Sequence, residues 1–74
     1  MVHGVYLKNK PKSKWHLVCL SSSFEKAKKE EQIYLDRAKL EGFEEAESAI
    51  QYFDSSYHIP EYLSNIKEQK ILLN

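Results

Sequence analysis

The residues best suited to acid–base, nucleophilic or metal chemistry in this 74-residue sequence are three histidines and one cysteine. They are His3, His16, His58 and Cys19. A nucleophilic site needs a hydroxyl or thiol beside a base, and a zinc site needs about four ligands of this kind. On a strand over residues 15–20, His16 and Cys19 are three positions apart and are therefore expected on opposite faces. The sequence predicts no catalytic residue, no metal site and no cofactor.

Other features of the chain agree with a function that is not enzymatic. It has only two glycines, Gly4 and Gly42, so it contains no glycine-rich phosphate loop. A lone cysteine on a strand is far more often a small buried hydrophobic residue than a nucleophile. We therefore predict that the protein is not an enzyme and has no small-molecule substrate.

The residues Gly4, Val5 and Tyr6 form a tripeptide that is similar to the opening motif of the GIY-YIG nucleases, which is also followed by a second strand and a helix. The similarity covers about the first third of the chain. Residues 16–20 read HLVCL where that family has its second Tyr-Ile-Gly motif, and the only arginine of the helix is Arg37. The tyrosine and glycine on which the nuclease chemistry depends are therefore missing, and we do not assign the chain to this family.

The length and cysteine content indicate one small domain, residues 1–74, with few means of stabilising itself. A chain of this size buries only about 60% of the surface that its unfolded form exposes. Cys19 has no second cysteine to pair with, and small domains without disulfides or metals are often stabilised by oligomerisation. The sequence therefore predicts a homodimer or a protein that binds a protein partner.

The expected location is the cytoplasm. A free thiol fits a reducing compartment, and no apolar run approaches the roughly 20 residues of a membrane span. The segment 1–10 lacks the basic region and the long apolar stretch of a signal peptide. We expect a soluble protein without membrane contact.

Eleven basic and eleven acidic residues cancel, but they are unevenly distributed. Residues 1–24 carry four lysines and no acid, whereas residues 41–61 carry six acids and no lysine or arginine. This asymmetry could steer a charged partner, or it could bring the two segments together in the fold. Neutral overall charge argues against strong non-specific binding of nucleic acid.

Two short apolar runs at the N-terminus predict a β-hairpin. Val2 to Lys8 and Trp15 to Leu20 are rich in β-branched and aromatic residues, and a lysine-rich loop containing Pro11 separates them. Pairing Lys8 with Trp15 places apolar side chains on both faces of the hairpin. One face would hold Val5, Leu7, Val18 and Leu20, and the other Tyr6, Trp15, Leu17 and Cys19. Both faces are therefore expected to need cover.

Residues 22–42 predict the clearest helix of the chain. Ser22 as the N-cap with Glu25 three residues later matches a capping box, and Gly42 stands where a glycine ends a helix. Five residues would form the stripe that faces the core: Phe24, Ala27, Tyr34, Leu35 and Ala38.

Two apolar residues fall on nearly the opposite side of this predicted helix. Ile33 and Leu40 are seven positions apart and so lie close to one line along the helix. Single apolar residues on a surface are common and need no function. The alternative is that Ile33 and Leu40 form a second contact surface for a partner.

The C-terminal third is less decisive. The segment 44–53 carries apolar residues at helical spacing, but its second half also reads as a strand. We favour a strand for Ser48 to Phe53, since a lone hairpin needs a further strand for stability. After Pro60, a loose stripe predicts a C-terminal helix, and the last five residues could fray or dock as a strand. The stripe consists of Ile59, Leu63, Ile66 and Leu73.

The predicted fold is therefore an α+β domain in which an N-terminal β-hairpin packs against a long α-helix, with a third strand and a C-terminal helix. The leading functional hypothesis is a non-enzymatic protein–protein interaction module, such as a small adaptor, an inhibitor or a homodimeric accessory protein. It rests on the two-faced hairpin and on Ile33 and Leu40, the predicted partner-binding residues.

The second hypothesis is a nucleic-acid-binding module that uses the basic hairpin loop. Lys10, Lys12 and Lys14 could neutralise phosphates, and Trp15 at the base of the loop could stack on an unpaired base. The alternative reading is that the lysines keep the turn soluble while Trp15 packs in the core.

Overall fold

The computed structural model describes residues 2–55 and 58–66, and these form a mixed α+β fold. A curled four-stranded antiparallel sheet has the strand order β3-β1-β2-β4, and one helix lies between β2 and β3. The elements are β1 (Val2–Lys8), β2 (Trp15–Ser21), α1 (Phe24–Leu40), β3 (Glu47–Phe53) and β4 (Tyr62–Leu63).

The predicted hairpin is confirmed, and it contains a bulge that the sequence did not indicate. Val5 pairs with Cys19, whereas the next residue of β1, Tyr6, pairs with Leu17. Val18 is therefore the extra residue of a β-bulge, which adds one position to β2 and locally increases the twist of the hairpin.

This bulge corrects the predicted assignment of side chains to faces. Residues directly opposite in an antiparallel pair share a face. Cys19 therefore lies on the face of Val5, and Leu20, opposite Gly4, lies on the other face. Strict alternation along β2 predicts the opposite faces for Cys19 and Leu20. The inserted residue interrupts that alternation, so the prediction is wrong for these two side chains.

Helix α1 begins one residue later than predicted. Ser23, not Ser22, is the N-cap, and its hydroxyl accepts a hydrogen bond from the Lys26 amide. Lys26 then occupies the third helical position, so the predicted capping box with Glu25 does not form. The helix ends as predicted, because Gly42 adopts a positive φ of 103° immediately after the C-cap, Glu41.

The helix packs against β1, β2 and β3, not against the hairpin alone. Ala27 and Ala38 of the predicted stripe are buried, Tyr34 and Leu35 are half-buried, and Phe24 is 40% exposed. A core cluster joins this helix to the sheet and to the chain that follows it. Its members are Leu7, Ala38 and Ala46, with Val18, Leu35 and Phe43 packed against them.

The strand alternative for the ambiguous segment is the observed one. Glu47–Phe53 forms β3, which pairs antiparallel with β1 over its whole length, from Val2 opposite Phe53 to Lys8 opposite Glu47. The third strand therefore makes β1 an interior strand of the sheet, with neighbours on both sides.

The predicted C-terminal helix is not observed among residues 58–66. Tyr62–Leu63 instead forms β4, which pairs with His16 and Trp15 at the edge of β2. The Leu17 amide also donates to the Glu61 carbonyl at 2.8 Å. Pairing with an open strand edge satisfies backbone groups of β2, and it overrides a weak helical stripe. The rest of that stripe, Leu73, and the final five residues lie outside the described residues.

Residues 58–61, which precede β4, contact the face of the sheet opposite the helix. The strands before and after them, β3 and β4, lie at opposite edges of the sheet. Tyr6 points away from the helix and is fully buried, and its hydroxyl donates to the Pro60 carbonyl at 2.6 Å. We call residues 58–61 the crossing segment. The crossing segment covers part of this second face of the hairpin, where Leu20 remains 48% exposed.

Candidate interaction surfaces

The outer face of α1 carries the most exposed apolar side chain in the described part of the chain. Leu40 is 89% exposed and Ile33 is 51% exposed. Seven helical residues span about 10.5 Å, so the two side chains lie about 10 Å apart along one side of the helix. Their neighbours on that side, Lys29 and Asp36, are exposed and charged. The structure thus places both predicted partner-binding residues on one solvent-facing side.

The predicted nucleic-acid site lies in the hairpin loop and at its base. Lys10, Lys12 and Lys14 are exposed. The Ser13 amide donates to the Lys10 carbonyl at 3.0 Å, which closes a turn in the middle of the loop. The three lysines are therefore displayed on a hydrogen-bonded turn, where their ammonium groups contact solvent.

The indole of Trp15 is partly occupied by a neighbour within the chain. The ammonium of Lys8 lies 4.8 Å from the centre of the Trp15 ring, within the range of a cation–π contact. The same ammonium lies 3.3 Å from a carboxylate oxygen of Glu47 and donates to the Pro11 carbonyl at 3.2 Å. Trp15 is half-buried and anchors the base of the loop, so only part of it remains for stacking on a base.

The basic loop faces acidic residues across an open cleft. The cleft has a volume of about 590 Å³ and is lined by residues 9–12 on one side and residues 42–45 on the other. Lys10 and Lys12 therefore stand across the cleft from Glu44 and Glu45. The charge asymmetry along the sequence is thus partly cancelled in the fold, which lowers the positive potential at the loop.

The bulge in β2 also changes the relative positions of His16 and Cys19. The bulge places His16, opposite Leu7, and Cys19, opposite Val5, on the same face, which corrects the predicted opposition of the two side chains. Within residues 2–55 and 58–66, no group of three or more His, Cys, Asp or Glu residues is arranged to hold a metal ion. The His16 ring lies near the Tyr62 ring, with ring centres 6.4 Å apart and the two planes tilted by 46°.

His3 is buried in the sheet and not exposed as a ligand. Its ring lies 5.7 Å from the Phe24 ring and 5.5 Å from the Tyr52 ring, on the face covered by α1. Its Nδ1 atom has no hydrogen-bond partner among the described residues. These contacts make His3 part of an aromatic cluster that joins β1, β3 and the start of the helix.

Cys19 lies in an environment that disfavours its thiolate. Burial raises the pKa of the Cys19 thiol above its ordinary value, and the nearby Glu30 carboxylate raises it further. The thiolate is the reactive form of cysteine. The half-buried Cys19 is therefore held as a neutral thiol, which suits a packing residue.

Two features of the structure have little or no signal in the sequence. The first is the hydrogen bond from Tyr6 to Pro60, which joins residues 54 positions apart. The second is the outer edge of β3, which lies at one side of the sheet. The edge position could be guessed only from the strand order, which local patterns along the chain do not determine.

The only helix among the described residues, α1, has 17 residues with charged side chains along its length. No helix in this part of the chain is long and apolar enough to cross a membrane. No protein-family model, curated protein or solved structure matches the chain.

Proposed function

We propose that this protein is a non-enzymatic protein-interaction module that binds a protein partner through the outer face of α1. The observation that carries this proposal is the exposure of Leu40 and Ile33 on one side of the helix. Two large apolar side chains on an otherwise charged face are a recognisable anchor pattern for a helix that lies in a groove of a partner.

Burial of these two side chains would contribute part of the binding free energy of a specific contact. Full burial of a leucine or isoleucine side chain stabilises by about 1.5–3 kcal/mol. The complementary partner surface is an apolar groove about two helical turns long, flanked by charged groups that pair with Lys29 and Asp36. The fold also supports a binding role, because the helix is held on the sheet by its inner face and keeps the outer face free.

The test is affinity capture from the source cell with the full chain as bait, in the presence of nuclease. Partners identified with the wild type are then measured against a variant carrying Ile33→Glu and Leu40→Glu. We expect the double variant to bind such a partner at least about tenfold more weakly. Lys29→Gln on the same side of the helix is the matched control and should bind nearly as well as the wild type. Equal binding by the double variant and the wild type would overturn the proposal.

A second candidate function is nucleic-acid binding through the hairpin loop, which the exposure of Lys10, Lys12 and Lys14 favours. Single-stranded RNA or DNA should then bind with an affinity that falls steeply with salt, and reversing the three lysine charges should abolish binding. Replacing Glu44 and Glu45 by glutamine should strengthen binding, because these acids face the loop. No detectable binding at low salt removes this candidate.

A further inference from the structure

The outer edge of β3 is a long strand edge that nothing in the described part of the chain covers. β3 has seven residues and lies at one end of the strand order, with β1 as its only neighbour. No backbone hydrogen bond on its outer side is formed by residues 2–55 or 58–66. The opposite edge differs, because β4 and Glu61 pair with the first three residues of β2.

The register identifies the backbone groups that point outward from β3. The Leu17 amide donates to Glu61, so the backbone groups of Leu17 face away from β1. In an antiparallel pair, hydrogen-bonded and non-hydrogen-bonded positions alternate. Tyr6, opposite Leu17, therefore turns its amide and carbonyl towards Ala49 of β3. The β3 residues with outward-pointing amides and carbonyls are then Ser48, Ile50 and Tyr52.

This edge lacks the features by which proteins usually prevent unwanted strand pairing. Edge strands are normally protected by proline, by inward-facing charges, by bulges or by being very short. β3 contains no proline and pairs with β1 without a bulge. Its one charged residue, Glu47, is at its first position, and the following residues from Ser48 to Phe53 are uncharged.

We propose that β3 pairs antiparallel with β3 of a second copy of this chain, about a two-fold axis at Ile50. Two-fold symmetry makes any strand complementary to itself in the antiparallel direction. The register centred on Ile50 overlaps all seven residues, and it matches outward-pointing groups with outward-pointing groups. Ile50 lies opposite the partner copy's Ile50, and Ser48 lies opposite its Tyr52. By symmetry, Tyr52 lies opposite the other copy's Ser48, which makes three pairs. These three pairs form about six backbone hydrogen bonds, two for each pair.

In this register the charged residues lie at the two ends of the paired strands and not at the centre. The two copies of Glu47 lie at opposite ends of the paired strands, about 20 Å apart at 3.4 Å per residue. Each Glu47 comes near Asp54 of the other copy, which follows the far end of the strand. Lys8, 3.3 Å from Glu47, supplies one cation against these two carboxylates, so each end of the paired strands keeps a net charge of about −1. The central positions carry no charge that would oppose pairing.

The assembly joins the two sheets into one of eight strands with both helices on the same face. The axis is perpendicular to the sheet, so equivalent faces of the two copies coincide. The isoleucine pair lies on the helix side, where cross-strand β-branched pairs stabilise a sheet. Two edges remain, and both are the β2–β4 edges. The dimer therefore removes the longer exposed edge of each copy.

The edge of β3 and the last described residue, Ile66, lie on opposite sides of the sheet. A second copy presents a matching edge without crossing the sheet. This inference uses a different surface from the outer face of α1 and does not depend on the proposed partner.

Cross-linking tests the register directly. In a full-length Cys19→Ala background, Ile50→Cys places two cysteines opposite each other with Cα atoms about 5.5 Å apart, within disulfide range. A mild oxidant should convert most of the protein to a covalent dimer. Ser48→Cys is the matched control, because its own copy lies about 14 Å away along the strands. Equal cross-linking of the two variants, or none with Ile50→Cys, would overturn the proposal.

Sedimentation tests the backbone pairing without a new thiol. The wild type should form a dimer, and Ser48→Pro, which removes an outward amide at an edge position that tolerates proline, should weaken the dimer about tenfold or more. Ser48→Ala should dimerise like the wild type. The Ile33→Glu and Leu40→Glu double variant should also remain dimeric.

A dimer lost in that double variant but kept in Ser48→Pro contradicts edge pairing, as does a wild type that stays monomeric at high concentration. If Ser48→Pro fails to fold, the cross-linking pair decides.

Discussion

On one face of the sheet, a 17-residue helix packs against three strands, whereas on the other face residues 58–61 cross as irregular backbone. The helix face is apolar, with buried residues such as Val5, Leu7 and Ala27. The face contacted by the crossing segment, which we call the crossing face, contains a buried tyrosine, Tyr6, whose hydroxyl donates to the Pro60 carbonyl. The two faces thus have similar apolar character along β1, but they are covered by different means.

Local sequence determines the helix on one face of the sheet, but it does not determine the chain segment on the other. Helix α1 is specified within its own segment by a serine N-cap, by good helix formers and by Gly42 at its end. The crossing segment has no comparable local pattern. Its position is set by contacts with residues more than 40 positions earlier, namely Tyr6 and Leu17.

The largest effect is expected from removing the anchor of the crossing face. Tyr6→Ala deletes a fully buried aromatic side chain, and such deletions lower the free energy of unfolding by about 3–5 kcal/mol. That loss approaches the whole stability of a typical small domain. Urea denaturation followed by circular dichroism measures it.

Leu40→Ala is the control for this deletion, since it removes an apolar side chain that is 89% exposed. We expect its free energy of unfolding to stay within about 0.5 kcal/mol of the wild type. A Tyr6→Ala variant as stable as Leu40→Ala would show that the crossing face contributes nothing to the fold.

The second-largest effect on stability is expected at Gly4, where side chains on the crossing face pack closely. A Cβ atom at Gly4 would lie 3.0 Å from the Tyr6 ring and 3.2 Å from the side chains of Leu17 and Phe53. Gly4→Ala should therefore force side chains apart and destabilise by about 1–3 kcal/mol, as overpacking does. Thermal unfolding measures the change. If Leu17→Ala relieves the crowding, the double variant should lose less stability than the sum of the two single variants.

The third effect on stability concerns the backbone conformation of Gly42 at the end of α1. Gly42 has a φ of 103°, and an added Cβ would meet no atom within 4 Å. Gly42→Ala should therefore cost only backbone strain, about 1 kcal/mol. Gly42→Asn should recover part of it, because asparagine tolerates this conformation. Denaturant midpoints of the three proteins measure the order. An alanine variant more stable than the wild type would contradict a glycine requirement at this helix end.

Much of the fold follows from local patterns. The hairpin strands, the helix and its glycine end are predictable, because each depends on neighbours within a few residues. The strand at Ser48 to Phe53 is predictable only as the favoured alternative, since its choice depends on the open edge of β1. The pairing of β4 with β2 depends on residues far apart in the sequence. The weak apolar stripe after Pro60 therefore predicts a helix that is not present over residues 58–66.

Some features of the candidate surfaces can also be predicted from local sequence, and others cannot. The exposure of Ile33 and Leu40 follows from helical periodicity, because residues opposite the core stripe must face solvent. The faces of Cys19 and Leu20 could not be predicted, since a bulge at Val18 changes the alternation and bulges leave no reliable local signal here. The acids opposite the lysine loop are visible in the sequence as a charge asymmetry, but their place across a cleft is not.

The smallest effect isolates the hydrogen bond on the crossing face from the packing of the tyrosine ring. Tyr6→Phe keeps the ring and removes the donor to Pro60, so we expect a loss of about 1 kcal/mol. The loss should be local. Hydrogen exchange should accelerate at the Leu17 amide, which donates to Glu61 beside the crossing segment, and stay unchanged at the Ala27 amide in α1. Equal acceleration at both amides would mean that the two faces unfold together.

Alkaline pH provides an independent measure of the same hydroxyl. Burial raises the pKa of Tyr6 above the ordinary tyrosine value of 10.0, so folding favours the neutral phenol. The stability that depends on the neutral form is fully present below pH 10.0, and it is lost as the pH rises and the unfolded chain ionises. Tyr6→Phe cannot ionise at this position. The stability gap between the wild type and Tyr6→Phe should therefore narrow above pH 10.0, and a constant gap would mean that Tyr6 ionises as readily in the folded protein as in the unfolded chain.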